Sequence, residues 1–75
     1  MILTQYKVQK GIMFAWNNTM FSEGDMLYIT DKYEDTVGIT IRKLCKVFDK
    51  NKNCVGEVFP RFIDEAIENK WIEEI

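Results

Sequence analysis

The sequence contains no histidine, a single proline and two cysteines among its 75 residues. The absence of histidine removes the commonest general base, the commonest metal ligand and every Ser–His or Cys–His catalytic pair. Two cysteines are too few for a disulfide framework, and they cannot supply the ligands of a structural zinc site. No glycine-rich phosphate-binding loop occurs either. We therefore expect no enzymatic activity, no bound metal and no cofactor.

Long apolar segments are also missing. The longest uninterrupted apolar run, from Ile12 to Trp16, is far too short to cross a membrane. The chain begins with Met1, and no basic and apolar leader precedes the first predicted strand. We expect a complete small reading frame whose product is cytoplasmic and makes no membrane contact.

The composition is that of a folded domain. Hydrophobic residues make up 47% of the chain and charged residues 29%, which is typical of a globular protein. A chain of this length forms one domain, so residues 1–75 are assigned to a single domain. Lysine, isoleucine, asparagine and glutamate are abundant, as in proteins from AT-rich bacterial or phage genomes.

Alternating apolar residues predict strands, and a change to helical spacing predicts one helix near the end of the chain. The predicted strands cover 2–8, 26–30, 37–48, 54–59 and 71–75, and polar loops or turns cover 17–25, 31–35 and 49–53. Pro60 opens the helix, since a first-turn proline loses no hydrogen bond there. The stripe formed by Phe62, Ile63, Ala66 and Ile67 faces the core.

The polar turn DKNKN (49–53) leaves two registers open for the hairpin around it. One register places Cys45 opposite Val58 and Lys46 opposite Glu57, whereas the other pairs Cys45 with Cys54. The turn residues suit the first register better. We therefore predict two reduced, largely buried thiols.

Two segments resemble the Src-homology-three family. FSEGD (21–25) is similar to the passage from that family's long first loop into its second strand, and GEVFPRFI (56–63) is similar to its penultimate strand and following helical turn. The resemblance implies a mainly β fold: a small five-stranded barrel with a helix inserted before the last strand. Of the family's peptide-binding residues only Pro60 matches, and no tryptophan lies near Val37 to Ile41. Recognition of proline-rich peptides is therefore not implied.

Charge is distributed unevenly, although the net charge is −2. Residues 42–56 carry five bases and one acid, whereas residues 57–75 carry six acids and two bases. The five bases are candidates for contacts with phosphates or with an acidic partner: Arg42, Lys43, Lys46, Lys50 and Lys52. The alternative is that this basic hairpin compensates the acidic helix within the molecule.

Several apolar residues exceed what one small core requires. Leu44, Phe48 and Phe59 share a face that is either covered by the helix or exposed to a partner. Trp16 and Tyr33 lie in or near predicted loops and are further candidates for partner contacts.

These observations predict a non-catalytic protein–protein interaction module. A small phage or mobile-element protein that inhibits or adapts a host protein would have this character. One alternative is a nucleic-acid-binding barrel that uses the basic hairpin. The other is a structural subunit that self-associates into a homo-oligomer.

Overall fold

The computed structural model describes residues 3–31 and 33–75 as eight strands and one helix. In chain order they are β1 Leu3–Val8, β2 Met13–Trp16, β3 Thr19–Ser22, β4 Met26–Thr30, β5 Tyr33–Val37, β6 Thr40–Phe48, β7 Cys54–Val58, α1 Pro60–Glu68 and β8 Ile72–Glu74. The prediction of a mainly β domain with one helix is confirmed. The described part of the chain contains no helix with the length and apolar character needed to span a bilayer.

Strand β6 is the centre of a six-stranded antiparallel sheet. Strands β4 and β5 follow each other along one edge of β6, and β7 pairs along the other edge. The sheet continues from β4 to β1 and ends at β8, which pairs with the N-terminal strand as predicted. Strands β2 and β3 form a separate hairpin. The pairings among the described residues give eight strands in two sheets, not five strands in a closed barrel.

The first half of β6 and the whole of β5 form a hairpin, residues 33–44, which we call the arm. Its two turn residues are Gly38 and Ile39, and Gly38 has φ +61° at the first turn position, as a type II′ turn requires. Residues 31–35 were predicted to be a polar turn, but Tyr33–Val37 is a strand. Of the described arm side chains, Leu44 at its base is buried, whereas Ile41 is largely exposed and Ile39, at the turn, is fully exposed.

The β2–β3 hairpin turns at Asn17 and Asn18, whose φ angles of 49° and 66° make a type I′ turn. The predicted loop at 17–25 therefore contains a strand. One face of the hairpin packs its aromatic rings inward: the ring of Phe14 lies 4.9 Å from that of Trp16 and 5.5 Å from that of Phe21.

The core lies between the sheet and helix α1. Val8, Leu27 and Val47 are fully buried, and the helix contributes Ile63 and Ala66. The remaining residues of the predicted stripe, Phe62 and Ile67, are exposed instead. Since both flank the buried turn, the helix presents a narrower apolar face to the core than its sequence indicates.

The β6–β7 hairpin adopts the preferred register, with Cys45 opposite Val58 and Lys46 opposite Glu57. Both cysteines are free thiols, and Cys45 is buried as predicted. The prediction was wrong for Cys54, which is exposed. A register shift between Val47 and Phe48 places Cys54 opposite Phe48, beside the turn, where the sheet does not cover it.

Replacement of Leu27 by alanine tests the position of the core. The side chain of Leu27 is fully buried, so its loss should lower the free energy of unfolding by about 2–5 kcal/mol in a urea titration. Met20→Ala is the matched control, because Met20 is exposed and its loss should change stability by less than about 0.5 kcal/mol. Equal effects from the two substitutions would contradict this description of the core.

Candidate functional site

Two of the predicted partner-binding residues lie in the interior. Trp16 is only 9% exposed and packs in the core cluster, and Leu44 is only 4% exposed. Trp16 was expected in or near a loop, but it ends strand β2 and pairs with Thr19 across a two-residue turn. Both side chains are largely buried, although Trp16 still lines part of a concave surface beside helix α1.

Tyr33 and Phe48 are half-buried, and Tyr33 takes part in a local cluster at the base of the arm. Its hydroxyl donates a hydrogen bond to the Glu57 carboxylate, and the Lys46 ammonium lies 5.6 Å from the centre of its ring. Lys46 also faces Glu57 across the β6–β7 ladder. These contacts give Tyr33 and Lys46 a structural role, since they join the arm to β7.

The five candidate bases do not form one patch. Lys50 and Lys52 lie in the turn that follows β6, and the Lys52 ammonium is 5.4 Å from the ring centre of Tyr28. Arg42 and Lys43 lie on the arm, near the other end of β6. At about 3.3 Å per residue, the strand separates Lys43 from Lys50 by roughly 23 Å. The five bases are thus spread along β6 and the turn after it, with Lys46 between the two ends.

Phe59, by contrast, is 42% exposed and borders a concave surface between the arm and the start of helix α1. We call this surface the arm–helix groove; it has a volume of about 440 Å³ and is lined by Ile41, Arg42, Lys43, Phe59, Pro60 and Arg61. Ile41 is 65% exposed, so apolar side chains border the groove from both the arm and the helix. The groove combines these apolar residues with three bases.

Arg61 was not singled out in the sequence, although it lies in the GEVFPRFI segment. Its guanidinium carbon is 5.8 Å from the ring centre of Phe59 and 5.0 Å from that of Phe62. Cation–π attraction of this kind orients the guanidinium on the two rings. Its role could have been predicted from the two phenylalanines, Phe59 and Phe62, that flank Pro60-Arg61 at the junction of a predicted strand and the helix.

The start of helix α1 adds to the positive potential of the groove. Its N-cap residue, Phe59, makes no side-chain capping bond, and the first turn contains no acidic residue. The positive end of the helix dipole is therefore not neutralised within the helix. Asp64, Glu65 and Glu68 follow only in later turns.

A second concavity, of about 500 Å³, lies between the β2–β3 hairpin and helix α1. Phe59 borders both concavities and Phe62 borders this second one, whose charged residues are acidic, Glu57 and Glu65. The two phenylalanine rings, 6.3 Å apart, form a ridge with a basic groove on one side and an acidic one on the other. We call it the phenylalanine ridge.

The described residues contain no group of three or more histidine, cysteine, aspartate or glutamate side chains placed to hold a metal ion. Burial raises the pKa of Tyr6 above its ordinary value, and the nearby charges of Glu74, Cys45 and Asp64 raise it further. Tyr6 therefore stays neutral at physiological pH, and it lies on β1, not in the grooves.

Comparison with known proteins does not assign this chain to a group. No protein-family model, no curated protein and no solved structure matches it.

The tip of the β2–β3 hairpin is fixed to β7 through Gly56. The Asn17 side-chain amide donates a hydrogen bond of 2.9 Å to the carbonyl oxygen of Glu57. A Cβ atom at Gly56, whose φ is +151°, would collide with that Asn17 side chain. The hairpin can approach β7 this closely because residue 56 has no side chain, and the approach forms one wall of the acidic concavity.

Gly56→Ala should therefore lower the free energy of unfolding by about 1–3 kcal/mol, through the clash with Asn17 and the backbone strain together. Gly11→Ala is the matched control: Gly11 also has a positive φ, of +79°, but nothing lies within 4 Å of the added Cβ atom. The loss should be larger for Gly56→Ala in thermal or urea unfolding. Adding Asn17→Gly to the Gly56→Ala variant should recover part of it. The explanation would be contradicted if Gly56→Ala and Gly11→Ala lowered stability equally and Asn17→Gly restored none of the loss. The contact between Asn17 and Gly56 would then not be important for stability.

Proposed function

We propose that this protein is a non-catalytic protein-interaction module that binds its partner through the arm–helix groove and the phenylalanine ridge. The observation that supports the proposal is the joint exposure of Ile41, Phe59 and Phe62 beside Arg61. The three apolar side chains are 65%, 42% and 39% exposed. Aromatic residues and arginine are enriched at protein interfaces and dominate their energetic hot spots.

The arm extends this surface. Ile39, at its turn, is fully exposed, and exposed apolar residues at the tip of a hairpin favour contact with another protein over solvent. The arm and helix α1 together form two walls of a concave site, which is the usual shape of a recognition surface for a peptide or a protrusion.

Nucleic-acid binding remains the second candidate. It would use Arg42, Lys43, Lys46, Lys50 and Lys52, and its affinity would fall steeply with salt. The separation of Lys50 and Lys52 from the arm reduces the number of phosphates that one strand could contact together. Lys46 and Lys52 already lie against tyrosine rings. We therefore favour a protein partner.

The fold itself supports a Src-homology-three-like interpretation. Five strands pair in the order β7, β6, β4, β1, β8, and helix α1 precedes the last of them. The segment FSEGD leads from β3 into β4, and GEVFPRFI joins β7 to α1, as the resemblance requires. We propose that the arm and the separate β2–β3 hairpin are elaborations of such a small barrel.

A role in the cytoplasm, as a small phage or mobile-element protein that inhibits or adapts a host protein, fits this proposal. The argument for that origin is compositional, from the abundance of lysine, isoleucine, asparagine and glutamate.

Phe59→Asp tests the proposed surface. Phe59 occupies the N-cap of α1 with extended backbone angles and lacks a capping bond, and aspartate is a favourable N-cap residue, so the variant should remain folded. Tagged wild-type protein should capture a protein partner from host lysate with nuclease present. The variant should bind that purified partner at least about tenfold more weakly, since the loss of an interface anchor costs roughly 2 kcal/mol.

Met13→Asp is the matched control, because Met13 is also exposed and apolar but lies on the β2–β3 hairpin outside both concavities. It should leave binding within about twofold of the wild type. Capture that disappears with nuclease would favour the nucleic-acid function. Captured material consisting of the same chain would favour self-association. Equal losses from Phe59→Asp and Met13→Asp would exclude the arm–helix groove as the binding surface.

A further inference from the structure

The inner edge of the arm is open toward the arm–helix groove. Strand β6 pairs with β5 over Thr40–Leu44, but its pairing with β7 on the opposite edge begins only at Cys45. Strand β7 ends at Val58 because the chain becomes helical at Pro60. Along the first half of β6, no described strand therefore continues the sheet on the groove side.

The hairpin geometry shows which backbone groups face the groove. A two-residue turn makes Val37 and Thr40 a hydrogen-bonded pair, and such pairs alternate along an antiparallel ladder. Thr40, Arg42 and Leu44 therefore exchange backbone hydrogen bonds with β5. Ile41 and Lys43 direct their N–H and C=O groups away from β5, toward the groove. The bond from the Lys46 amide to the Thr30 hydroxyl, on the β4 edge, agrees with this alternation.

The side chains around this edge select for acidic and apolar groups. Arg61 is held against the rings of Phe59 and Phe62, so its guanidinium is ordered before a carboxylate arrives. Lys43 adds a second positive charge, although Glu34 lies opposite it in the β5–β6 register. Ile41 and Phe59 offer apolar contact between the two bases. A volume of about 440 Å³ accommodates a short stretch of chain.

We propose that the arm–helix groove binds an extended segment of a partner protein, with both acidic and apolar side chains, as an additional strand on β6. Backbone hydrogen bonds to Ile41 and Lys43 provide the pairing, and Arg61 recognises a carboxylate. The proposal rests on the proposed function and specifies the chemistry of the partner. Strand addition of this kind is a common mode of peptide recognition.

A nucleic acid fits the same groove less well. Asp64, Glu65 and Glu68 follow Arg61 within the same helix, and a polyanion that extended beyond the groove would meet them. A peptide segment that places single carboxylates at Arg61 and Lys43 avoids this repulsion, because its remaining side chains are apolar.

The test starts with a random peptide library displayed on phage and selected on the immobilised full chain. Enrichment of peptides that combine acidic and apolar residues is the expected result. Arg61→Glu should weaken binding of a selected peptide by more than about tenfold, and Lys43→Glu by less, because of Glu34. The Arg61→Glu variant should remain folded, since a carboxylate in the first helical turn is favourable. Replacing the matching peptide carboxylate by lysine should restore its binding to that variant.

Lys50→Glu is the matched control, because it makes the same charge change at the far end of β6. It should alter binding by less than about twofold. N-methylation of the selected peptide, one residue at a time, tests the strand geometry. Methylation should abolish binding at alternate positions only, because every second amide faces the sheet edge.

Three results would overturn the proposal. The first is selection of neutral, basic or proline-rich peptides, or of none. The second is an equal effect of Lys50→Glu and Arg61→Glu, or an N-methylation profile without alternation. The third is an oligothymidylate that binds through Arg61 more tightly than the selected peptides. Suppose that one of these results is obtained, but the lysate experiment still captures a protein partner whose binding is weakened by Phe59→Asp. The protein-binding function then stands, and the proposal of an acidic and apolar segment in the groove is wrong. If the lysate experiment captures no protein partner, both the function and the segment proposal are wrong.

Discussion

Strand β6 has to satisfy three pairings at once, and the rest of the structure depends on how it does so. Its second half lies between β4 and β7 and places Cys45 and Val47 in the core. Its first half pairs, among the described strands, with β5 alone and forms the arm. Because the same strand runs from the core into the arm, its position in the core determines where the arm begins. The cluster of Tyr33, Lys46 and Glu57 lies where the two halves meet and fixes the direction of the arm.

The single proline determines where β6 loses its second neighbour. Only Phe59 separates Pro60, which begins α1, from the end of β7 at Val58, so the chain leaves the sheet at this point. The helix then turns Ile63 and Ala66 into the core, which leaves Phe59 and Phe62 outside it. The change from strand β7 to helix α1 therefore has two consequences. It leaves one edge of β6 open, and it places the phenylalanine ridge with Arg61 beside that edge. This is why apolar, basic and backbone groups converge on a single groove.

Local signals predicted the elements that local chemistry determines. The DKNKN turn closes because the Asp49 carboxylate accepts hydrogen bonds from the amides of Asn51 and Asn53, and Pro60 starts the helix. Strand β5 escaped prediction because its sequence, YEDTV, is polar. The acidic residue Glu34 lies opposite Lys43 of β6. A cross-strand pair of this kind cannot be recognised from the sequence of one strand alone. The burial of Trp16 and Leu44 could not be predicted for the same reason, since distant strands decide which way they face. The groove could not be predicted from either segment that forms it.

The location of the exposed apolar residues also explains how so small a domain tolerates them. A chain of this size is only marginally stable, so it cannot leave core side chains exposed for a partner without unfolding. Ile39 and Ile41 lie on the arm away from its buried base at Leu44, and the two exposed phenylalanines flank the helix turn that enters the core. Folding depends on Val8, Leu27 and Val47, while Ile39, Ile41, Phe59 and Phe62 remain available for contact. Substitutions at the arm–helix groove should consequently change partner affinity far more than the free energy of unfolding. In a protein that used the same apolar residues for its core and for binding, the two quantities would change together.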